Sequence, residues 1–225
     1  CTGVSTLAKL LNPKIKVIAV EPAGAACLKA SLEAGEVTTV SKINTIADGT
    51  AVQTPGDKLF PYLQANVDHV ITVDDSELTL SFLDMAENHK MIVENSGLLT
   101  VAALKHLDFK GKKVVSVLSG GNMDVLTMAT VVQNGLMQRD RIFTVSVMLP
   151  DKPGQLAAVS SLIAKEQGNV IKLEHNVFAN VNRTAGVELT ITLESFGTEH
   201  KDQIIKALEA AGYCPVITKT NGIYM

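Results

Sequence analysis

Residues 119–122, with the sequence Ser-Gly-Gly-Asn, are the part of the chain best suited to bind a ligand. The valine-rich run before them, residues 114–118, predicts a strand, and the apolar spacing after them predicts a helix. This order places the Ser119 hydroxyl at the carboxyl end of a strand, where open α/β sheets bind their ligands. Gly120 has no Cβ, so a ligand can approach the backbone there.

The elements around this turn alternate between strands and helices from residue 1 to residue 138. Apolar runs predict strands at residues 15–20, 68–73 and 114–118, and helical spacing predicts helices at residues 25–36, 74–87 and 97–106. Strands that alternate with helices in this way indicate a parallel sheet covered on both faces. The predicted fold class of this part is therefore α/β, with a three-layer parallel sheet.

The first residues of the chain have the pattern of a helix, and no strand is predicted before them. A helix in this kind of fold normally follows a strand and a glycine-containing turn, and residues 1–7 follow neither. We therefore expect the chain to be the carboxyl portion of a longer protein, so that its parallel sheet is partial.

The second part of the chain, residues 139–225, has a different order of predicted strands and helices. A helix stop is predicted at residues 133–135 (Gln-Asn-Gly). After it the pattern predicts βαββαβ, the ferredoxin-like arrangement. The predicted strands are residues 141–148, 168–178, 187–193 and 213–218, the predicted helices start near residues 156 and 199, and a hairpin tip falls at residues 180–183. Two domains are therefore expected, residues 1–138 and 139–225.

The composition is that of a soluble globular protein. The 225 residues are 46% hydrophobic and 19% charged, and the formal net charge is −3. This slightly acidic balance gives no reason to expect nucleic acid or an anionic membrane as a partner. No apolar run reaches the roughly 20 residues that a membrane helix needs. The three cysteines are odd in number and lack the spacing of metal ligands, which favours free thiols in a cytoplasmic protein.

Four segments together resemble a known family. They are residues 17–22 (Val-Ile-Ala-Val-Glu-Pro), 45–49 (Thr-Ile-Ala-Asp-Gly), 119–122 and 151–156 (Asp-Lys-Pro-Gly-Gln-Leu). In order and spacing, the set resembles the carboxyl half of pyridoxal-phosphate threonine dehydratases (threonine ammonia-lyases) that carry one ACT domain. The resemblance implies an incomplete catalytic domain of PLP fold type II followed by an ACT regulatory domain. It also implies a parent enzyme that converts L-threonine, and L-serine as a second substrate, to a 2-oxo acid and ammonia by β-elimination.

The resemblance assigns pyridoxal 5′-phosphate (PLP) to three residues of this chain. The serine matching Ser119 hydrogen-bonds the pyridine nitrogen of the cofactor, and Gly120 adjoins it. A neutral hydroxyl does not stabilise a protonated ring as a carboxylate would, which favours elimination over transamination. Cys1 matches the end of the family's phosphate loop, at the start of a helix whose amides face the phosphate. The family's Schiff-base lysine lies upstream, and Lys9 and Lys14 are not candidates for it, so this chain alone is expected to be inactive.

Two acidic positions leave alternatives open. In relatives with a cation site, the glutamate matching Glu21 binds the ion with a backbone carbonyl matching Ala25 and an acidic residue two positions further on. That position is Cys27 here, a poor ligand for hard cations, so Glu21 either binds a cation or merely ends a strand. Glu94 matches a glutamate before a small turn, although Asn95 replaces the usual proline. Glu94 lines the pocket, binds a monovalent cation or caps a helix in solvent.

The ACT resemblance predicts a regulatory site and self-association. In ACT domains the positions of Gly154 and Asn169, predicted to lie on the same edge, often hold the amino and carboxyl groups of an effector where two copies pair. The effector expected here is isoleucine or valine, and the alternative is a module that only dimerises. An open ferredoxin-like sheet leaves an edge to be paired, so we expect a homo-oligomer.

Other interpretations compete with the dehydratase. One is a non-catalytic regulatory polypeptide that binds amino acids, which the missing lysine favours. Another is the serine-dehydratase or racemase branch of the same superfamily, which shares the first three segments but usually lacks the tail. For Ser119 itself, the alternative is a structural serine at the end of a strand.

Overall fold

The computed structural model describes residues 1–176 and 186–220. The structure divides into two compact units, Cys1–Met128 and Ala129–Met225. In the described ranges, no helix has the length and apolar character to cross a membrane. The domain boundary expected after residue 138 stays a prediction.

The first unit is built from short helices and a parallel pair of strands. Its helices are α1 (Thr2–Leu11), α2 (Cys27–Ala34), α3 (Phe60–Asn66), α4 (Asp75–Asp84) and α5 (Leu99–Ala102), and α6 (Val125–Gln138) leads into the second unit. Its strands are β1 (Ile18–Pro22) and β2 (His69–Val73). Short 3₁₀ turns occupy Ala23–Ala25, Asp48–Thr50, Asn95–Leu98 and Ala103–His106, and a π-helical turn occupies Met85–His89. β1 and β2 pair in parallel, so the predicted α/β class with a parallel sheet is confirmed.

Asp68 ties the first helix to this pair of strands. Its carboxylate accepts hydrogen bonds from Lys9 of α1 (2.6 Å), from Lys16 (2.9 Å) and from the backbone N–H of Val17 (2.8 Å). The Lys9 ammonium above all, with the Val17 amide and Lys16, holds the pKa of the Asp68 carboxyl well below its usual range. Lys9 also donates to the carbonyl oxygen of Ile15 (2.8 Å). Both contacts give the Lys9 ammonium a structural role in the first unit.

The strand predicted at residues 114–118 is wrong, because this segment has no ladder partner among the described residues. A valine-rich run forms a strand only where a neighbouring strand supplies the hydrogen bonds. The segment contacts α5 instead. The Thr100 hydroxyl donates to the carbonyl of Val117 (3.0 Å), and the Ser116 hydroxyl donates to the carbonyl of Thr100 (3.2 Å). Ser119 thus follows an unpaired segment held beside a helix.

The helix stop predicted at residues 133–135 is also wrong. α6 continues through Gly135, whose carbonyl accepts the N–H of Arg139 at 3.1 Å. The helix ends at Gln138, and Asp140 takes the left-handed conformation (φ 54°) that follows many helices. Aspartate is one of the few residues besides glycine that visit this conformation. The glycine is therefore not needed as the stop.

The second unit packs helices against an antiparallel sheet. Its elements are β3 (Ile142–Leu149), α7 (Gln155–Lys165), β4 (Asn169–Asn176), β5 (Val187–Glu194), α8 (Thr198–Ala210) and β6 (Val216–Thr218). The strand order β4-β5-β3-β6 and the antiparallel pairing confirm the predicted ferredoxin-like fold. The predicted hairpin tip at residues 180–183, and the end of the strand predicted to reach residue 178, lie outside the described residues.

The core of the second unit follows the alternation of its strands. Side chains on a strand point to opposite faces in turn, and the apolar set that β3 presents at odd positions is buried against α7 and α8. The buried cluster consists of Phe143, Val145, Val147, Leu149, Val159, Ile163, Leu189, Ile191, Leu193, Ile204 and Leu208.

Candidate functional site

The Ser-Gly-Gly-Asn turn, residues 119–122, lies against a second segment, residues 94–97. The backbone N–H of Glu94 donates to the carbonyl oxygen of Gly120 at 3.3 Å. A Cβ on residue 97 would overlap with the carbonyl oxygen of Ser119. Only glycine therefore fits at position 97 while Ser119 keeps its place.

Ser119 offers a hydroxyl that the protein does not use. The residue is exposed, and its side chain has no hydrogen-bond partner among the described residues. A serine hydroxyl donates one hydrogen bond and accepts up to two. Ser119 can therefore bind a polar atom of a ligand without first giving up a contact within the chain.

Position 120 must be a glycine because a carboxylate lies against its backbone. Its φ of 79° is left-handed, and a Cβ at this position would overlap with the side-chain carboxylate of Glu94. The second oxygen of that carboxylate, Oε2, accepts the backbone N–H of Asn122 at 3.1 Å. The group that approaches the backbone of Gly120 is thus a protein side chain. Sequence reasoning found Glu94 but gave no sign that it touches this turn.

Two buried polar atoms beside the turn have no hydrogen-bond partner in the part of the chain that the structure describes. Asn95 is 5% exposed, and its side-chain amide donates to the carbonyl of Ile46 (3.1 Å) while its Oδ1 accepts nothing from the described residues. The Oγ of Ser96 is also buried without a partner, and it lies 2.9 Å from the Cβ position of Gly49. Buried polar atoms are rarely left unpaired, because that costs free energy. These two oxygens can accept hydrogen bonds that the described residues do not supply.

Asp75, at the start of α4, fixes the loop that these atoms face. Its carboxylate accepts the Thr45 hydroxyl (2.6 Å) and the backbone N–H of Ile46 (3.0 Å). The side-chain carboxylate of Asp48, in the same loop, accepts only the N–H of Gly49 (2.9 Å) among the described residues. Sequence reasoning missed Asp75 and Ser96. An acidic residue at a helix start is a recognisable cap signal, but nothing in the sequence indicates that Asp75 binds a distant loop.

Glu21 caps α2. Its two carboxylate oxygens accept the backbone N–H groups of Leu28 (2.8 Å) and Lys29 (2.9 Å). The Cys27 thiol lies 3.8 Å from Oε1 of Glu21, and burial first, then the Glu21 charge, raise the pKa of that thiol. Within the described ranges, no group of three His, Cys, Asp or Glu side chains is arranged to hold a metal ion. The cation site at Glu21 and Ala25 stays a prediction, and the capping contacts compete with it.

Cys1 is exposed and stands at the start of α1. It is the N-cap residue, and no side chain caps the helix there. The first backbone N–H groups of a helix have no partner within the helix and carry partial positive charge. These N–H groups can in principle accept an anion, and phosphate binding at Cys1 stays a prediction.

Gly154 and Asn169 lie at opposite ends of the second unit's sheet. Asn169 and Ile142, the first residue of β3, both pair with Glu194 of β5, whereas Gly154 follows Leu149 at the other end of β3. The prediction that both positions share an edge is therefore wrong within one copy. The prediction failed because β3 and β4 run in the same direction. The helix between them brings the chain back to the end of the sheet where β3 begins, and β4 starts there. The Asn169 amide also donates to the Glu194 carboxylate (3.0 Å).

Known proteins match both units. The family model of pyridoxal-phosphate dependent enzymes matches residues 1–120, and the ACT domain model matches residues 143–212.

An L-threonine ammonia-lyase of Geobacter sulfurreducens is 35% identical over 220 residues, 96% of this chain and 54% of that protein. The structure of processed threonine deaminase isoform 2 from Solanum lycopersicum is 29% identical with a TM-score of 0.55, over 59% of this chain and 40% of that one. Maize serine racemase is 35% identical with a TM-score of 0.53, over 59% and 43%. The chain spans about half the length of the first two curated relatives it matches.

Proposed function

Because the chain belongs to the family of pyridoxal-phosphate dependent enzymes, we propose that it forms the carboxyl portion of an L-threonine dehydratase (threonine ammonia-lyase). The parent reaction converts L-threonine to 2-oxobutanoate and ammonia, with L-serine as a second substrate. The identity of 35% with a curated L-threonine ammonia-lyase, over 96% of the chain, supports this activity. The match of residues 143–212 to the ACT domain supports regulation by an amino acid.

The main observation behind the proposal is that the Ser119 hydroxyl has no hydrogen-bond partner among the described residues, while the turn that contains it is held in place by Glu94. The site fits one edge of PLP in two respects. Ser119 is exposed and free to bind a ring atom. The buried, unpaired oxygens of Asn95 and Ser96 lie in the segment that contacts the same turn, where a polar cofactor or substrate group would satisfy them.

Ser119 would hold the ring nitrogen of the cofactor, with Gly120 beside it. Bound PLP supplies a sink for the electrons released at the α-carbon of an amino acid. The Ser119 hydroxyl donates a hydrogen bond to a neutral nitrogen but carries no charge, so it does not stabilise the protonated ring as a carboxylate would. This choice of residue favours loss of the β-hydroxyl over transamination.

The start of α1 would hold the cofactor phosphate. Cys1 and the uncapped amides that follow it provide N–H donors and the positive end of the helix dipole. Lys9, on the same helix, cannot anchor the cofactor as a Schiff base, because its ammonium binds Asp68 and the Ile15 carbonyl. Since the resemblance places the family's Schiff-base lysine upstream of the segments matched here, we propose that the anchoring lysine lies outside this chain and that the chain alone is inactive.

The second unit would bind isoleucine or valine where two copies pair. Since Gly154 and Asn169 lie at opposite ends of one sheet, a site that uses both must combine Gly154 of one copy with Asn169 of another. β4 and β6 are the edge strands of this sheet, and unpaired edges favour association. The proposed parent is a cytoplasmic homo-oligomer.

Product analysis tests the proposed reaction. The full-length polypeptide and this chain alone are each incubated with PLP and L-threonine, and 2-oxobutanoate and ammonia are measured. We expect the full-length polypeptide to release the two products in equal amounts, and this chain to release neither. Calorimetric titration of both proteins with isoleucine and valine tests the second unit. Binding of either amino acid without any ammonia release from the full-length polypeptide would favour a non-catalytic regulatory protein.

Serine racemase is the second candidate, and the structural similarity to the maize enzyme at 35% identity supports it. Structural coverage does not separate the two candidates, because the tomato threonine deaminase and maize serine racemase structures each cover 59% of this chain. The sequence match to a curated threonine ammonia-lyase over 96% of the chain, together with the ACT domain match at residues 143–212, favours the dehydratase. The dehydratase is therefore preferred. Formation of D-serine from L-serine, with no 2-oxobutanoate from threonine, would reverse this preference.

A further inference from the structure

We propose that Glu94 is a positioning residue for Ser119: it holds the turn at residues 119–122 in the conformation that presents the Ser119 hydroxyl. This inference rests on the proposed function, in which that hydroxyl binds the ring nitrogen of PLP. Sequence reasoning left Glu94 as a pocket residue, a cation ligand or a solvated cap. Its contacts give it a different role.

Glu94 holds the turn at three points. Its backbone N–H donates to the carbonyl of Gly120 (3.3 Å), and its Oε2 accepts the N–H of Asn122 (3.1 Å). Its Oε1 lies against the Gly120 backbone, in the space that a Cβ on that residue would fill. The residue directly after Ser119 is therefore held from two sides, and the end of the turn is held through Asn122.

Gly97 packs on the Ser119 carbonyl, and Thr100 binds residues 116 and 117, but among the described contacts neither acts on Gly120 or Asn122. Ser119, Gly120 and Gly121 are exposed, and the segment before them has no ladder partner among the described residues. Glycine has more backbone freedom than any other residue, so Gly120 and Gly121 do not fix the turn by themselves. A hydrogen bond to an ionised acceptor is stronger than one between neutral groups. Loss of the Glu94 side chain should therefore let Ser119 occupy several positions, only some of which reach the cofactor ring.

Substitutions can test the side-chain contacts of Glu94, alone and in combination with Gly120. Glu94→Gln keeps the length of the side chain and an oxygen that can accept the Asn122 N–H. Glu94→Ala removes both that acceptor and the packing on Gly120. Gly120→Ala adds a Cβ that collides with the carboxylate, and Glu94→Ala in the same chain removes the collision, leaving only the strain of the left-handed φ. Because the two positions are in contact, their effects should not add.

Two measurements on the full-length polypeptide test the positioning role. Hydrogen–deuterium exchange reports on residues 116–126, and absorbance titration gives the dissociation constant of PLP. We expect Glu94→Ala to speed exchange at the Asn122 amide and to weaken PLP binding about tenfold or more. Glu94→Gln should change PLP binding by no more than about threefold. The double variant Gly120→Ala/Glu94→Ala should bind PLP more tightly than Gly120→Ala alone.

Glu36→Ala, which removes an exposed carboxylate of the same unit, is the matched control and should change neither measurement. If Glu94→Ala does not fold, Glu94→Asp replaces it. Aspartate keeps the charge but is too short to reach Asn122, so the same faster exchange is expected. Unchanged exchange at residues 116–126 in the Ala or Asp variant overturns the positioning role. If the unmodified full-length polypeptide binds no PLP, the proposed function fails, while the exchange data still decide whether Glu94 holds the turn.

Discussion

The carbonyl oxygen of Ser119 fills the space that a side chain at Gly97 would need. The short turn Asn95–Leu98 therefore packs backbone against backbone on the residue whose hydroxyl is proposed to bind the cofactor. The position of Ser119 depends on the lack of a side chain at residue 97, as well as on the contacts of Glu94.

Gly97→Ala should displace Ser119. The added methyl group forces the two segments apart, which overpacks a buried contact and should lower the free energy of unfolding by about 1–3 kcal/mol. PLP binding by the full-length polypeptide should weaken in parallel, measured by absorbance titration. Gly56→Ala is the control, because a Cβ there meets no atom within 4 Å. A Gly97→Ala variant that binds PLP as tightly as Gly56→Ala would contradict this dependence.

Asp68→Asn should destabilise the first unit in a pH-dependent way. It weakens the ion pairs with Lys9 and Lys16, and we expect the free energy of unfolding at pH 7 to fall by about 1–3 kcal/mol. The pKa of Asp68 is lower in the folded chain than its unfolded value of about 3.9. The carboxylate therefore contributes fully above that value and loses its contribution as the pH falls below it. Urea unfolding at pH 7 and pH 3 should show a smaller difference between variant and parent at pH 3, and an undiminished difference would contradict the assignment.

Glu21→Ala should remove the cap of α2. The amides of Leu28 and Lys29 lose their acceptors, so the free energy of unfolding should fall by about 1–2 kcal/mol. Glu21→Gln, which keeps one acceptor oxygen, should lose less. Thermal unfolding with EDTA, Ca²⁺ or Mg²⁺ separates this role from ion binding, and we expect the melting temperature to be the same in all three. A rise with either ion that disappears in Glu21→Ala would instead support the cation site with Ala25.

Asp140→Asn should loosen the second unit. Asp140 accepts hydrogen bonds from Lys201 (2.9 Å) and Thr198 (2.8 Å) at the start of α8. Asparagine also adopts the left-handed backbone of this position, so the change removes an ion pair without adding strain and should cost about 1 kcal/mol. Hydrogen exchange in α8 measures the effect, with the exposed Asp202→Asn as the control. Equal exchange in the two variants would show that the Asp140 contacts do not stabilise the unit.

Local patterns were enough to predict the elements whose partners lie nearby or whose burial is complete. The strand predicted at residues 141–148 is confirmed as β3, which lies in the middle of a four-stranded sheet. The helix predicted at residues 25–36 is confirmed as α2, and Gly35 ends it because this residue takes the left-handed conformation (φ 77°) that suits glycine. In both cases the sequence signal lies within the element itself or directly beside it.

The misses concern contacts between residues far apart in sequence. The run at residues 114–118 has the composition of a strand, but a strand also needs a ladder partner, which composition does not reveal. The contact of Glu94 with Gly120 follows no sequence periodicity. The sequence therefore predicted that a ligand could approach the backbone of Gly120, whereas the Glu94 carboxylate occupies that space. The separation of Gly154 from Asn169 depends on the register of three strands.

The dissociation constant of PLP in the Ser119→Ala variant of the full-length polypeptide tests the proposed ring contact most directly. The substitution removes one hydroxyl that no described residue binds, so it should leave folding unchanged. We predict that PLP binding weakens about tenfold, while Ser41→Ala, at an exposed serine of the same unit, has no effect. An equal dissociation constant for the two variants would contradict the assignment of Ser119 to the cofactor.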